Sequence, residues 1–486
     1  MQNSELKPVS IGSERLRPLL TLAFLLLVTL PNLAFPQSDS PASAESGETT
    51  PETPDYSPVL YVDVPFVFEP GTSPQLPPPL IPADPDVSED DPAFVGRAAS
   101  IEEYALSIGR IEAEGGAWDV NLVETLIALG ELQQAQGDHA SAVATLDRAL
   151  HIHRINSGLH ATEQVELVQE LIESYLALED WASTDLYQNY LYYIQQRAYG
   201  ADDPRMIPVL AGLARWNLEA FGLGFGDPLG QRLSTANILY NAAARLLSVH
   251  YGKADDRFIS YQSSIVELAF LISTNSELMN EVDKPQHRSE QDLLRDQLNE
   301  PASIIPLGFS AGESALLEII SVHETANDEL KLAEAHTHLG DWYLLSERRR
   351  RAEEQYAIAW NLLEDKQQQA NTELAEVLAA ESTQARLFGR VTPIPVFYQY
   401  PRWVSTSRGE RLPLTQLQTG EVDLTFNVTR NGQVRDVEIL SEETEATSGH
   451  YGRVSRELRR FRFRPRVQDG VAIESENNHV RFRFWY

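Results

Sequence analysis

Between about Arg97 and Leu387, apolar residues recur at helical spacing in one segment after another, and the segments repeat at a fixed offset. Gly158 and Gly200 stand 42 residues apart, and so do Asp138 and Asp180. An internal period of this length is typical of stacked helix pairs, because a single pair cannot bury its apolar face alone. The period therefore predicts an all-α superhelical solenoid of four to six helix pairs.

The clearest helix pair runs from Lys331 to Lys366. Its characteristic positions are Leu339, Gly340 and Tyr343 on one helix and Ala352, Tyr356 and Ala359 on the next. Gly340 and Ala352 are small where two antiparallel helices approach closely. This spacing resembles the tetratricopeptide repeat, with Glu364 in place of the closing proline, and the 42-residue period resembles its kinesin-light-chain-like variant. The resemblance implies a surface that binds peptides or other proteins.

Beyond about Val391 the apolar period changes from helical spacing to two, which predicts strands. The first alternating set is Val422, Leu424, Phe426 and Val428. Asn431-Gly432 is a strong hairpin signal, and the slip in phase at Arg435-Asp436 predicts a bulge in the return strand. A short helix is expected at about His450 to Arg460, followed by a final strand, Val480 to Tyr486. The pattern predicts a small α+β module with one aromatic, buried face and one guanidinium-rich face.

The module resembles the C-terminal domain of the TonB family of energy transducers. The matching residues are Tyr400-Pro401, Gly420-Glu421-Val422, Phe426-Asn427-Val428, Asn431-Gly432, Leu458 to Pro465 and Val480 to Phe484. The resemblance implies that the final strand pairs with a short extended segment of an outer-membrane receptor, which is β-augmentation.

Carried onto this sequence, the resemblance gives a candidate partner-binding edge. Its residues are His479, Val480, Arg481, Phe482, Arg483, Phe484 and Trp485. Gln399 and Tyr400 match the family's upstream motif and are candidate secondary contacts. The alternative is that a terminal strand with inward-facing phenylalanines simply completes the sheet.

The N-terminus has the pattern of a secretory signal. Lys7, Arg15 and Arg17 precede an uncharged apolar run, Pro18 to Leu30, which is shorter than the about 20 residues that span a membrane. Residues 1–35 are therefore predicted to be a signal peptide, with an uncleaved anchor as the alternative. The corresponding locations are the periplasm or the inner membrane with the rest of the chain facing the periplasm.

An acidic, proline-rich segment follows, and we predict a disordered linker over residues 36–95. Between Pro36 and Phe94 there are fourteen prolines and twelve carboxylates, and no Lys, Arg or His. Proline removes backbone donors and like charges repel, which disfavours helix and sheet. The apolar run Val59 to Phe68 is the exception, since it can pack against the following domain. The solenoid is predicted over 96–388 and the TonB-like module over 389–486.

Charge and cysteine content exclude several classes of partner and site. The 71 acidic and 39 basic side chains give a net charge of −32, which argues against a nucleic-acid partner. The chain has no cysteine, which excludes disulfides, a thiol nucleophile and thiolate metal ligands. His151 and His153, like His336 and His338, are spaced i, i+2 and therefore point to different helix faces, unlike a zinc pair. We expect no metal and no cofactor.

One motif points to an enzyme. Gly308 to Gly312 reads G-x-S-x-G, the turn that presents the nucleophile Ser310 in an α/β-hydrolase. Helical patterns continue on both sides and no alternating βα pattern surrounds it, so we expect no catalytic residue.

These observations favour a non-enzymatic periplasmic scaffold. Its expected partners are envelope proteins, an outer-membrane receptor segment among them, with peptidoglycan as an alternative ligand. The second hypothesis is a TonB-type energy transducer, anchored by its N-terminal helix, that supports outer-membrane transport. Two departures from that family weigh against it: Pro18 to Leu30 contains no histidine, and a solenoid stands where the family has a spacer. A serine hydrolase using Ser310 is the third.

Overall fold

Helices form the region from Pro92 to Phe388, and short strands dominate the region that follows. The computed structural model describes residues 61–62, 66–68, 92–282, 284–299, 308–368, 373–395, 403–405, 411–442 and 449–486. All of them belong to one compact unit, Tyr56–Tyr486. The predicted signal peptide or anchor, residues 1–35, lies outside the described residues.

The helical region is built from helices packed mostly in sequence order. Those described are α1 (Pro92–Gly115), α2 (Leu122–Ala135), α3 (His139–Ser157), α4 (Val165–Ala177), α5 (Trp181–Tyr199), α6 (Met206–Gly222), α7 (Gly230–His250), α8 (Asp256–Thr274), α9 (Ser276–Val282), α10 (Pro285–Gln297), α11 (Phe309–Ala326), α12 (Glu329–Leu345), α13 (Arg349–Gln368) and α14 (Leu374–Phe388). The packed pairs are α2/α3, α4/α5, α6/α7, α8/α11 and α12/α13. α9 and α10 form the insertion predicted near Asn275 to Glu300 and pack against α7. The prediction of successive helix pairs is confirmed.

The 42-residue period is a spacing of helix caps. The carboxylates of Asp138 and Asp180 accept the backbone N–H three residues on, at 3.1 and 3.0 Å, and so begin α3 and α5. Gly158 and Gly200 end the same helices with φ of 91° and 84°, a backbone conformation that is costly for residues with a side chain. The same two cap types therefore recur in adjacent repeats.

Small residues lie where paired helices cross, as the sequence predicts. A β-carbon added at Gly340 of α12 would lie 2.5 Å from the ring of Tyr356 on α13. One added at Gly130 of α2 would lie 2.6 Å from the side chain of Leu146 on α3. Tyr356 and Leu146 are fully buried, so each fills the space that the opposing glycine leaves.

The C-terminal module consists of strands around one helix. Its elements are β3 (Thr392–Ile394), β4 (Trp403–Ser405), β5 (Arg411–Pro413), β6 (Thr419–Val428), β7 (Val434–Ile439), α15 (Tyr451–Leu458), β8 (Arg462–Arg464), β9 (Arg466–Gln468), β10 (Val471–Ile473) and β11 (Ser475–Trp485). Two strands from far upstream join it, β1 (Tyr61–Val62) and β2 (Phe66–Phe68). The main sheet has the order β1-β11-β6-β7, with β2 also on β11, and every pairing is antiparallel.

The predicted hairpin, bulge and final strand of this α+β module are confirmed. β6 and β7 form the hairpin around Asn431-Gly432, and their register shifts between Thr425 and Asn427. The extra residue lies in β7, where Asp436 has φ of 51°. The buried face of β6 and β11 packs with α15 into one apolar cluster, whose fully buried aromatic residues are Phe426, Phe463, Phe482 and Phe484.

Two features differ from the sequence-based expectations. The segment predicted as linker, 36–95, contains β1, β2 and the first residues of α1, and its apolar run pairs with the distant module instead of the domain that follows it. The expectation that the guanidinium groups lie on the open face is wrong for Arg464, which is 2% exposed. The reason for its burial is an acidic partner on α12, described below.

Candidate partner-binding edge

The predicted partner-binding edge lies between two neighbours. On one side, β11 pairs with β6 along most of its length. On the other side, Tyr61 and Val62 lie opposite Trp485 and Phe484. Phe66, Val67 and Phe68 lie opposite Arg481, Val480 and His479. The edge that sequence analysis assigned to a partner is therefore taken, at five positions, by the chain's own upstream strands.

The seven candidate residues divide between two faces of β11. Val480, Phe482 and Phe484 are fully buried and form part of the module's apolar cluster. His479, Arg481, Arg483 and Trp485 are half-buried on the opposite face. Val480, Phe482 and Phe484 are therefore core residues of the module, and His479, Arg481, Arg483 and Trp485 lie on the face away from that core.

The side chains of the upstream strands also contact the module. Val67 packs against the apolar cluster from the same face as Val480. Tyr61 meets Trp485 on the opposite face, with ring centroids 5.4 Å apart and an interplanar angle of 67°, which is an edge-to-face arrangement. The upstream strands therefore present an aliphatic side chain opposite Val480 and an aromatic side chain opposite Trp485.

The guanidinium groups of β11 are paired across the sheet. Arg481 donates two hydrogen bonds to the carboxylate of Asp423 on β6, both at 2.7 Å. That hydrogen bonding raises the pKa of Arg481 further above its ordinary value. Arg483 lies 3.6 Å from the carboxylate of Glu421, also on β6. The face is therefore close to charge balance, which limits its attraction for an anionic ligand.

The candidate secondary contacts, Gln399 and Tyr400, lie outside the described residues. The hairpin β4–β5 that follows them contacts the helical array. Trp403 donates from its indole nitrogen to the carbonyl oxygen of Phe221 at 3.0 Å. Arg411 donates to the carbonyl oxygens in the loop after α6, each at 2.9 Å. This hairpin therefore lies against the array, at the glycine-rich insertion between α6 and α7.

A buried ion pair holds the module on the array. Arg464 of β8 donates to both carboxylate oxygens of Asp341 on α12, at 2.9 and 2.5 Å. Tyr356 donates to the same carboxylate at 2.9 Å, and Arg464 also donates to the carbonyl oxygen of Leu387 at 3.2 Å. Burial and the neighbouring Asp341 charge raise the pKa of the Tyr356 hydroxyl well above its ordinary range, so it stays a donor. The contact fixes β8, which forms a separate two-stranded sheet with β3, to α12 of the last helix pair.

The helical array has a crevice of about 610 Å³ between α4, α5 and α6. It lies where the apolar core of the array divides, with one cluster over α1–α5 and another beyond it. Its walls combine apolar and amide side chains, among them Leu176, Leu191, Leu213, Gln169, Gln188 and Gln195. Arg215 and Glu219 also line it. Side-chain amides can both donate to and accept from peptide groups, so the crevice can take an extended segment.

Burial raises the pKa of two ionisable groups near the crevice. Burial raises the pKa of Tyr192, which lines the crevice, to about 12. Burial and, second, the charge of Glu219 raise the pKa of Glu267 on α8 to about 7. Because the raised pKa means that the folded state holds this proton more tightly than the unfolded chain does, protonation of Glu267 favours folding at low pH, and this contribution to stability is lost as pH rises from about 4.5 through 7.

The G-x-S-x-G motif forms the start of α11. Gly308 caps the helix with φ of 61°, and Ser310 is exposed in its first turn. Gly312 lies so close to the ring of Trp342 on α12 that a β-carbon there would clash. The indole nitrogen of Trp342 donates to the carbonyl oxygen of Phe309 at 2.9 Å. Helix packing accounts for the second glycine, and the sheets among the described strands are antiparallel, unlike the hydrolase sheet.

The described residues contain neither a metal-binding cluster nor a helix that could span a membrane. No group of three or more His, Asp or Glu side chains there is arranged to hold a metal ion. Within the same residues, no helix is both long enough and apolar enough to cross a membrane.

The solved structures that are similar to this chain include the following two. One, a kinesin light chain from Podosopora anserina with nearly identical TPR-like repeats, is 12% identical, with a TM-score of 0.32, and the match covers 52% of this chain and 99% of that one. The other, BtubC (BKLC) from P. vanneervenii, is 13% identical, with a TM-score of 0.32, and the match covers 58% and 96%. No protein-family model matches the chain. No curated protein matches it either. The TonB likeness and the periplasmic location stay predictions.

Proposed function

We propose that the chain is a non-enzymatic scaffold of the cell envelope whose C-terminal module takes up an extended segment of a partner protein along β11. One observation carries the proposal: Tyr61–Val62 and Phe66–Phe68 pair with this strand, which supports its capacity to accept an antiparallel strand. In such pairing, main-chain hydrogen bonds supply affinity and alternate side chains supply selectivity.

The remainder of the structure suits a scaffold. The buried pair of Arg464 and Asp341 holds β8 of the module on the helical array, and Phe463 of β8 packs in the same apolar cluster as the core residues of β11. The crevice between α4, α5 and α6 gives the array a surface for a second extended segment. Two partners bound at fixed positions on one chain would be held near each other, which is what a scaffold does. Energy transduction would in addition require residues 1–35 to act as an anchor.

A reversible cross-link across β11 tests this proposal. Val67 and Val480 are register partners and the chain has no cysteine, so Val67→Cys with Val480→Cys adds one unique disulfide. We expect an envelope protein to copurify with the reduced double variant and its recovery to fall at least tenfold after oxidation, because the edge is then closed. The measurement is quantitative mass spectrometry of the copurified proteins.

The single variant Val67→Cys, oxidised in the same way, is the matched control, since it cannot close the edge. Partner recovery that is unchanged when the double variant is fully cross-linked would contradict strand pairing at β11. Deleting the strand would be a poorer test, because Val480, Phe482 and Phe484 are core residues and the module would unfold.

A further inference from the structure

We infer that β1 and β2 are a displaceable ligand of β11: they occupy the edge until a partner segment replaces them, and their side-chain pattern is the one the partner shares. This inference rests on the proposed function. It identifies the partner's chemistry as an extended segment with an aliphatic residue opposite Val480 and an aromatic residue opposite Trp485, the positions of Val67 and Tyr61.

The described upstream strands are short. Two residues pair with β11 at its end, in β1, and three pair further back, in β2. Short strand pairs are marginal on their own. A partner segment that pairs along β11 from His479 to Trp485 would form a longer ladder than either described upstream strand does.

Covalent attachment compensates for the short ladder. β2 ends at Phe68 and α1 begins at Pro92, so the pairing strands are tethered to the molecule by the 23 residues between them. A covalent tether can give an effective concentration on the order of millimolar. The partner can bind only while the edge is free. Its apparent affinity is therefore its intrinsic affinity multiplied by the fraction of time that the upstream strands leave the edge free.

The side-chain contacts determine how the occupant can be weakened without damage to the module. Val67 is half-buried against the module's apolar cluster, whereas Val480 beside it is fully buried. Val67→Asp places a charge at position 67, against the apolar cluster, and leaves every core residue of β6 and β11 in place. This substitution should release the upstream strands and keep the receiving edge intact.

The test measures binding of a synthetic peptide with the sequence of residues 58–70 to the full chain by fluorescence anisotropy. We expect the Val67→Asp variant to bind the peptide at least tenfold more tightly than the unchanged protein does, because the tethered competitor is weakened. A peptide carrying the same valine-to-aspartate change should not bind either protein. Val471→Asp is the matched control: it places a charge at an exposed valine of β10 and should leave peptide affinity unchanged.

Two outcomes would overturn the inference. Equal peptide affinity for Val67→Asp and the unchanged protein would show that the upstream strands do not compete for the edge. Absence of peptide binding to a folded Val67→Asp variant would show that β11 does not exchange its strand. The peptide experiment requires no cellular partner, so its failure is distinguishable from loss of the copurified protein in the cross-linking experiment.

Discussion

Replacing Arg464 with alanine is expected to lower the free energy of unfolding by about 3–5 kcal/mol, because it leaves the carboxylate of Asp341 buried without its cation. The two side chains are 3% and 7% exposed, so water cannot replace the lost partner. Tyr356 still donates to Asp341 but cannot balance its charge. The measurement is urea-induced unfolding followed by circular dichroism, with near-ultraviolet signals from the module's aromatic residues recorded in parallel.

Arg481→Ala is the matched control for this prediction. Arg481 also makes a two-point contact with an aspartate, Asp423, but these side chains are 23% and 24% exposed. A partly solvated pair contributes about 1 kcal/mol or less, so the control should be mild. Equal losses in the two variants would contradict the claim that burial, and not pair geometry, makes the Arg464 contact decisive for holding the module.

Replacing Gly312 with alanine is expected to cost about 2–3 kcal/mol of stability, since the added β-carbon would overlap the Trp342 ring and force α11 and α12 apart. Ser310→Ala, in the same motif, should change stability by less than about 0.5 kcal/mol because Ser310 is exposed. Thermal unfolding of both variants measures the contrast.

Gly212→Ala is the control that separates the two effects of a glycine-to-alanine change in a helix, which are steric overlap with a neighbour and the higher helix propensity of alanine. Gly212 lies on α6, with no atom within 4 Å of where its β-carbon would be, so alanine there should stabilise the helix slightly. A neutral Gly312→Ala variant would contradict the packing explanation of the motif. An esterase activity that disappears in a stably folded Ser310→Ala variant would restore the hydrolase hypothesis.

Local rules were sufficient to predict the repeat and the hairpin. Asp138 and Asp180 act as caps through backbone groups three residues away, and Gly340 faces Tyr356 on the next helix. Asn431-Gly432 forms the turn of a hairpin between neighbouring strands. In each case the interacting residues are close in sequence, so the pattern of residue types records the contact.

Long-range pairing was not predictable in the same way. Arg464 alternates with phenylalanines and reads as an outward-facing strand residue, but its partner, Asp341, lies 123 residues away on a helix. The apolar run Val59 to Phe68 indicated that part of the acidic segment packs on something, without identifying β11. Nothing in one sequence distinguishes an edge kept for a partner from one already occupied.

The most direct test of the central claim is the yield of the disulfide in Val67→Cys with Val480→Cys under mild oxidation of the folded chain. In-register pairing places these residues directly opposite each other, within reach of a disulfide. Val67→Cys with Glu476→Cys is the control, because position 476 lies four residues, about 13 Å, further along β11. We predict nearly complete cross-linking of the first pair and little of the second. Similar yields from both pairs, or none from the first, would contradict the pairing of the upstream strands with β11.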